Sequence, residues 1–487
     1  MLIRKLNLKK NESIAQKTVR TSFWGGIEKV STMGIQFVVS VVLARLLSPS
    51  DYGVIAMLGV FISISEQFVN SGFRNALIRK ENCTSADYST AFYFNLVVGL
   101  ICYCILFVCA PAIAGFYNME ILCPVIRIYS LTIPLGALTI VQSAILRRNL
   151  QAEKAAIIHL CCTIVSGTTG ITMALRGFGV WALVYQQISN TIMSVILFWV
   201  LSKWHPVFEF SRQSMKYLWG FGSKMLLTGI ISSLYANIYS IVIGKRYDSA
   251  SLGIFNRGQK FARIFPDISE SVFVSNSLPI ISQVQDDHAR MIHVYREFVK
   301  LACFITIPGV FLVGLLAEPF VSVVLTDKWI ASVPYIQLFS LTALFFPANS
   351  VNLNLLQAFG RSDYTLRAEV IKKSVGLIAV FSLLPFGPWV LALGSCTIDI
   401  MSMSINLLYA KKLSHLSIRT QIIDILPYLT SGIVMGCIVV GCCRLLNDDI
   451  AKIIIGGFVG IVSYYGITRF AFKDGLYAKI HELMTSR

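Results

Sequence analysis

The stretch FYFNLVVGLICYCILFVCA, residues 92–110, holds no charged side chain, and runs like it recur along the whole 487-residue chain. At about 1.5 Å per residue, some twenty helical residues match the ~30 Å hydrocarbon core of a bilayer. Inside that core no water satisfies backbone N–H and C=O groups, so a spanning segment has to be helical or part of a closed barrel. A window of about twenty residues reads fourteen such helices, at about 21–44, 52–73, 88–110, 121–144, 155–176, 178–201, 216–244, 253–279, 296–317, 333–357, 366–387, 389–410, 421–443 and 450–470. Only 14% of the residues are charged, against about 25% in soluble proteins. The expected fold is an all-α integral membrane protein of about 14 transmembrane helices.

The net charge of +17 is not a nucleic-acid signature, because no soluble domain carries a basic face. Topology accounts for it better. With the N-terminus in the cytoplasm, alternate connections hold FRNALIRK, LRRNLQAEK, KWHPVFEFSRQSMK, GRSDYTLRAEVIKK and AKKLSHLSIR. Together with the tails and a 280–300 loop, they carry 29 of the 42 Lys and Arg residues. The opposite connections carry 7. That asymmetry follows the positive-inside rule and puts both termini in the cytoplasm. The basic opening segment MLIRKLNLKKNESIAQKTVR lacks an apolar stretch ahead of a small-residue cleavage site, so it reads as a tail rather than a cleavable signal. The twelve cysteines lie mostly within spans and read as small apolar fillers.

The chain also repeats itself. ARLLSPSDYG (44–53) is echoed by GKRYDSASLG (244–253), with Arg45, Leu47 and Gly53 matching Lys245, Tyr247 and Gly253. Pro49, Ser50 and Asp51 make the turn there, and Gly53 opens the next helix. Upstream, WGGIEK (24–29) is echoed by WGFGSK (219–224), and AILRRNLQAEKAA is matched more weakly by LLQAFGRSDYTLRAE. A duplication divides the chain into a cytoplasmic tail 1–20, a six-helix bundle 21–205, a second six-helix bundle 206–412, a helix pair 413–472 and a cytoplasmic tail 473–487. Six is even, so both copies enter the membrane the same way round. Their pseudo-two-fold axis is expected along the membrane normal, with a cavity between the halves.

The basic tail, ARLLSPSDYG, NSGFRNALIRK (70–80) and LGIFNRGQKFARIFP (252–266) together resemble the polysaccharide transporter family. These are Wzx-type lipid-linked oligosaccharide flippases of the multidrug/oligosaccharidyl-lipid/polysaccharide superfamily. The resemblance implies a V-shaped, two-bundle transporter in a bacterial inner membrane. It implies outward movement of undecaprenyl-(pyro)phosphate-linked sugars for lipopolysaccharide O-antigen, capsule or exopolysaccharide.

Such a substrate joins an anionic phosphate, a hydroxyl-rich sugar and a long apolar tail. Dragging its head through hydrocarbon would strand charges and polar groups, so a cationic, wet cavity is needed, with the tail left in lipid. Intramembrane cations usually face such cavities. The candidates are Lys29, Arg127, Lys224, Arg257, Lys260 and Arg263. Lys29 and Lys224 occupy equivalent repeat positions. On the eighth span Arg257, Lys260, Arg263, Asp267 and Glu270 follow i, i+3, i+4 spacing and fall within one face of about 140° on an ideal helix. Blander roles stand beside these: snorkelling at the outer interface for Arg257 and Lys260, an intrahelical Arg263–Asp267 pair, and a local Glu28–Lys29 pair.

Glu66, Asp267, Glu270 and Asp399 are the candidates for coupling a proton or sodium ion; for Asp399 the alternative is a salt bridge to a neighbouring helix. Trp24, Tyr235, Asn237, Tyr239, Asn352 and Gln357 are candidates for a sugar path. No G-x-x-x-x-G-K-[ST] loop or H-E-x-x-H occurs, the six His residues do not cluster, and QDDH (285–288) reads as a solvated loop. No catalytic site, resident metal or cofactor is therefore expected. Expected partners are the lipid-linked oligosaccharide, membrane lipids, a polysaccharide polymerase and a chain-length regulator. The competing functions are an exporter of small organic molecules or drugs, and a membrane-embedded polymerase or acyltransferase. The first is disfavoured by cationic spans, which repel cations. The second would call for a large outer loop or a paired acid/base constellation.

Overall fold

The computed structural model describes residues 14–80 and 82–471, all helices and connecting turns, with no strand among the described residues. Most of the two expected tails, 1–13 and 473–487, lies outside the described residues. Residues 14–20, read as tail, already belong to the first helix. The contacts group the chain into two compact units, Met1–Leu252 and Gly253–Arg487. That spatial grouping differs from the repeat boundary at 206, which concerns duplication and is carried forward as a proposal.

The first unit contains α1 (Ile14–Leu46), α2 (Pro49–Asn70), α3 (Phe73–Arg79), α4 (Ser85–Tyr117), α5 (Leu122–Tyr129), α6 (Thr132–Ala137), α7 (Ile140–Arg148), α8 (Ala152–Leu175), α9 (Val180–Ser202), α10 (Arg212–Ala236) and α11 (Ile238–Arg246). The SPSD of the repeated motif is a capping box rather than a loose turn. Ser48 accepts from the Asp51 N–H, the Asp51 carboxylate accepts from the Ser48 N–H at 2.9 Å, and Pro49 opens α2. Two orphan donors of the helix start are thereby satisfied. Gly53 lies inside α2 rather than at its start, and it is required for space. A Cβ there would stand 1.7 Å from the Ser249 carbonyl oxygen, in the echo motif, while Ser50 and Ser249 share a 2.7 Å hydroxyl contact.

In lipid the hydrophobic effect gives helices no reason to associate, so close backbone approach has to supply dispersion contact. On α8, Cys162, Ser166, Gly170 and Ala174 recur every four residues and are all buried. Beside them Gly167 packs so tightly on Val39 of α1 that a Cβ would meet its Cγ2 at 2.6 Å. Gly170 faces Gln186 of α9.

The second unit continues with α12 (Ser249–Ala262), whose first turn precedes the division, then α13 (Ile264–Ser269), a π turn (Glu270–Val274), α14 (Ser275–Gln283) and α15 (His288–Leu315). After α16 (Ala317–Phe320) come a second π turn (Val321–Leu325) and a 3₁₀ turn (Asp327–Ser332). Then follow α17 (Val333–Ala343), α18 (Phe346–Ala358), α19 (Ser362–Leu383), α20 (Pro388–Ser414), α21 (Ile418–Arg444) and α22 (Asp449–Ala471). Its core is α15, where Tyr295, Ala302, Cys303, Ile307 and Val310 are buried with Val351 and Leu355 of α18 and Tyr428 of α21.

The expected 280–300 loop is corrected. Only residues 284–287 connect α14 to α15, and Asp287 of QDDH caps α15 by accepting from the Arg290 N–H at 3.0 Å. Arg290, Arg296 and Lys300 are helical. The longest expected outer connection, 318–332, is also mostly helical turns.

Ten helices among the described residues are long and apolar enough to cross a membrane, and two further pairs, each bent by 41°, pass that test together. The remaining two expected spans, 253–279 and 366–387, fall on α12–α14 and on α19.

Candidate functional site

The polar eighth span is not one continuous helix. The chain turns at Arg263, Pro266 withholds an N–H from the ladder, and a π turn follows at once. The π turn begins only at Glu270, and the Arg263 and Asp267 N–H groups still donate to the Gln259 and Arg263 carbonyls, so the helical phase runs through the charged residues; burial is what takes Arg257 off the expected charged face. Arg257 is only 4% exposed, with its guanidinium 4.9 Å from the ring of fully buried Trp329 and 5.5 Å from Phe261. Buried in an aromatic cage, it is held as a cation–π group. Lys260, Arg263 and Asp267 are exposed, and Glu270 is half-buried.

Within the second unit this span forms one wall of a cavity of about 120 Å³. Gln259 and Arg263 come from its broken helix, Thr342 from α17, Asn349 from α18, Lys372 from α19 and Asp399 from α20. Phe339, Phe345 and Phe346 supply the apolar side. Both cations have a carboxylate at loose range. Arg263 Nε lies 3.5 Å from Asp267 Oδ1, and Lys372 Nζ lies 4.0 Å from Asp399 Oδ1. Arg263 also stands over the Phe346 ring at 4.6 Å. Asn349 is held by Asn406 of α20, whose Nδ2 donates to its Oδ1 at 2.7 Å. The geometry thus joins Arg263, Asp267 and Asp399 of the sequence candidates in one neighbourhood. It adds Lys372, Gln259, Thr342 and Asn349, which the sequence reading did not single out.

The first unit holds the other candidates apart. Lys29 on α1 and Lys224 on α10 are exposed and make no ion pair among the described residues. Glu28 approaches His159 of α8 at 3.8 Å rather than Lys29. Arg127 lies on α5, its Nε donating to the Phe107 carbonyl at 3.4 Å and its guanidinium 4.6 Å from that ring. Glu66 on α2 is exposed within electrostatic reach of Arg74 and Tyr129. No hydrogen bond or ion pair joins any two of Lys29, Glu66, Arg127 and Lys224 among the described residues.

Among the expected sugar-path residues, both asparagines bond to other helices. Asn237 sits at the α10–α11 bend and donates to Ser63 at 3.1 Å. Asn352 is buried and accepts from Tyr295. Trp24, Tyr235 and Tyr239 are half-buried, and Gln357 is exposed.

The profile of the family described as "Polysaccharide biosynthesis protein" matches residues 42–334. The teichuronic acid biosynthesis protein TuaB of Bacillus subtilis (strain 168) is 25% identical over 357 residues, covering 72% of this chain and 73% of that one. The succinoglycan biosynthesis transport protein ExoT of Rhizobium meliloti (strain 1021) is 24% identical over 347 residues, covering 71% and 70%. Among solved structures, the lipid II flippase MurJ in an inward closed conformation superposes with a TM-score of 0.74 at 15% identity, over 92% of this chain and 99% of that one.

Proposed function

The chain belongs to the polysaccharide biosynthesis protein family, and on that premise we propose that it is a flippase for lipid-linked oligosaccharide in the bacterial inner membrane. The observation that carries the reading is an imbalance of charge within the spans. Lys29, Lys224 and Lys260 are exposed cations without an ion-pair partner among the described residues. Exposed intramembrane cations of this kind suit an anionic head and repel organic cations, which weighs against drug export.

In this reading an undecaprenyl-(pyro)phosphate-linked sugar enters from the cytoplasmic leaflet. Lys29, Lys224, Arg127, Lys260 and Arg263 receive the anionic head while the polyprenyl chain stays in lipid. Alternating access then exposes the head on the opposite side, driven by a proton or sodium gradient through the acidic candidates. The protein transports rather than catalyses. Both termini lie in the cytoplasm, and a polymerase and a chain-length regulator take over the product.

Deleting the gene tests the assignment. Lipid-linked oligosaccharide should accumulate on the cytoplasmic leaflet while surface polysaccharide falls. Unchanged surface polysaccharide with no accumulated intermediate would overturn it.

A further inference from the structure

Residues 203–211, which join α9 to α10 in the first unit, form a strap that is pinned down and yet turns its rings outward. The Val207 N–H donates to Ser89 Oγ and the Ser211 N–H to Thr90 Oγ1, each at 3.0 Å, which fixes the strap to the start of α4. Phe208 is nevertheless 99% exposed, and Val207 and Phe210 are exposed beside it. Apolar groups held outside by a fixed backbone forgo burial, and a contiguous patch of them marks an interaction surface. Next to the strap, the first two turns of α10 and Phe94 of α4 open a groove of about 430 Å³, lined by Phe94, Arg212, Met215, Lys216 and Trp219. Arg212 and Lys216 stand one turn apart, are exposed, and make no hydrogen bond or ion pair among the described residues. Across 203–219 the single acid, Glu209, faces three cations, Lys203, Arg212 and Lys216.

Depth orders these groups. The apolar window of α9 ends at Ser202 and that of α10 begins at Gly222, so the stretch between them lies where the spans meet water. Trp219 comes seven residues after Arg212, about 10 Å further along the helix toward the hydrocarbon. There it meets Phe94 edge-on, with ring centroids 5.8 Å apart. We propose that the groove holds an anionic phospholipid of the surrounding leaflet. Arg212 and Lys216 meet its phosphate, Phe94, Met215 and Trp219 line the upper part of its acyl chain, and Phe208 and Phe210 insert into the same leaflet. Cations outside and rings inside match the order of headgroup and chain, and the charge selects an anionic lipid over a zwitterionic one. An acidic soluble protein would answer the cations but leave the rings uncovered at the level of the membrane. The inference goes beyond the flippase reading and does not depend on which cargo is carried.

Native mass spectrometry of the full-length protein, delipidated in detergent and titrated with dioleoylphosphatidylglycerol or dioleoylphosphatidylcholine, tests the site. Wild type should prefer phosphatidylglycerol. Arg212→Gln and Lys216→Gln should each weaken its binding about fivefold and the double change about twenty-fivefold, with phosphatidylcholine binding unchanged. Arg212→Lys should retain most of the affinity. In nanodiscs of phosphatidylglycerol brominated on the acyl chain, Phe208→Trp should add emission that the bromine quenches. Elution as a single species on size exclusion guards each variant against misfolding, and the single changes carry the test where the double one fails it. Equal binding of the two lipids by wild type, or phosphatidylglycerol affinity in the charge variants within twofold of wild type, would overturn the proposal. Tighter binding of a soluble polyglutamate peptide than of phosphatidylglycerol would overturn it too, by giving the cations to an acidic protein. Added emission from Phe208→Trp that bromine leaves unquenched would put the strap in water and overturn its insertion.

Discussion

Arg296–Asp424 and Lys372–Asp399 are ion pairs of the same unit built to opposite specifications. In the first, the Arg296 guanidinium donates to both carboxylate oxygens at 2.7 and 2.8 Å, and Asp424 is 7% exposed. In the second, a 4.0 Å approach leaves the Asp399 carboxylate 58% exposed at the cavity. The first unit has its own pair of the tight kind, Lys80–Asp87 at 2.6 and 2.7 Å, with Asp87 buried in the capping box that starts α4. Charge inside a helical membrane bundle thus does two jobs. Short, buried, multiply bonded pairs fasten helices together, and longer, more exposed ones hold their partners less tightly.

Removing one partner of each pair tests that division. Asp424→Ala strands Arg296 and should cost about 2 kcal/mol, below the ~3–5 kcal/mol of a fully buried pair because Arg296 is 36% exposed. Thermal unfolding of the purified protein measures it, and a loss under about 0.5 kcal/mol would put this pair with the open ones. Tyr295→Phe comes next. The buried hydroxyl donates to Asn352 Oδ1 and lies 3.3 Å from Gln421 Oε1, tying α15 to α18 and α21. Its loss should cost about 1–1.5 kcal/mol in the same assay.

Lys372→Gln and Asp399→Asn should each leave stability within about 0.5 kcal/mol of wild type while changing export of surface polysaccharide. A large drop in melting temperature for either would make their pair a fastener.

The smallest effect is expected at Arg361–Asp363, an exposed pair at the start of α19. The Arg361 hydrogen bond holds the Asp363 carboxyl down to about 2. Stability from such a lowered group is present above the ordinary carboxylate range and lost as pH falls toward that value. Arg361→Ala should therefore melt slightly below wild type from about pH 5 to about pH 8, and the two should converge as pH falls toward about 2. A gap in that range as large as that of Asp424→Ala would show that an exposed pair fastens too.

Much of the scaffold was written in the sequence. Uncharged runs such as 92–110 located helices, because lipid admits little else, and Ser48-x-x-Asp51 carried a readable capping signal that was taken for a plain turn. The cavity was less legible. Periodicity sees only the helix's own phase, so it placed Arg257 beside Lys260 and Arg263. Trp329, some seventy residues away, encloses Arg257, while Lys260 and Arg263 stay exposed. Lys372 was hidden by its surroundings. In RAEVIKK it reads as one more basic residue of a connection, and only the packing of α19 on α20 brings it to Asp399.

Gly53 has a bearing on how this chain can change over generations. The smallest substitution available, a single methyl, would sit 1.7 Å from the Ser249 carbonyl oxygen, and that neighbour is backbone, which has no rotamer to yield. Position 53 is therefore nearly immutable unless Ser249 moves with it, and two segments some two hundred residues apart are bound to drift together there.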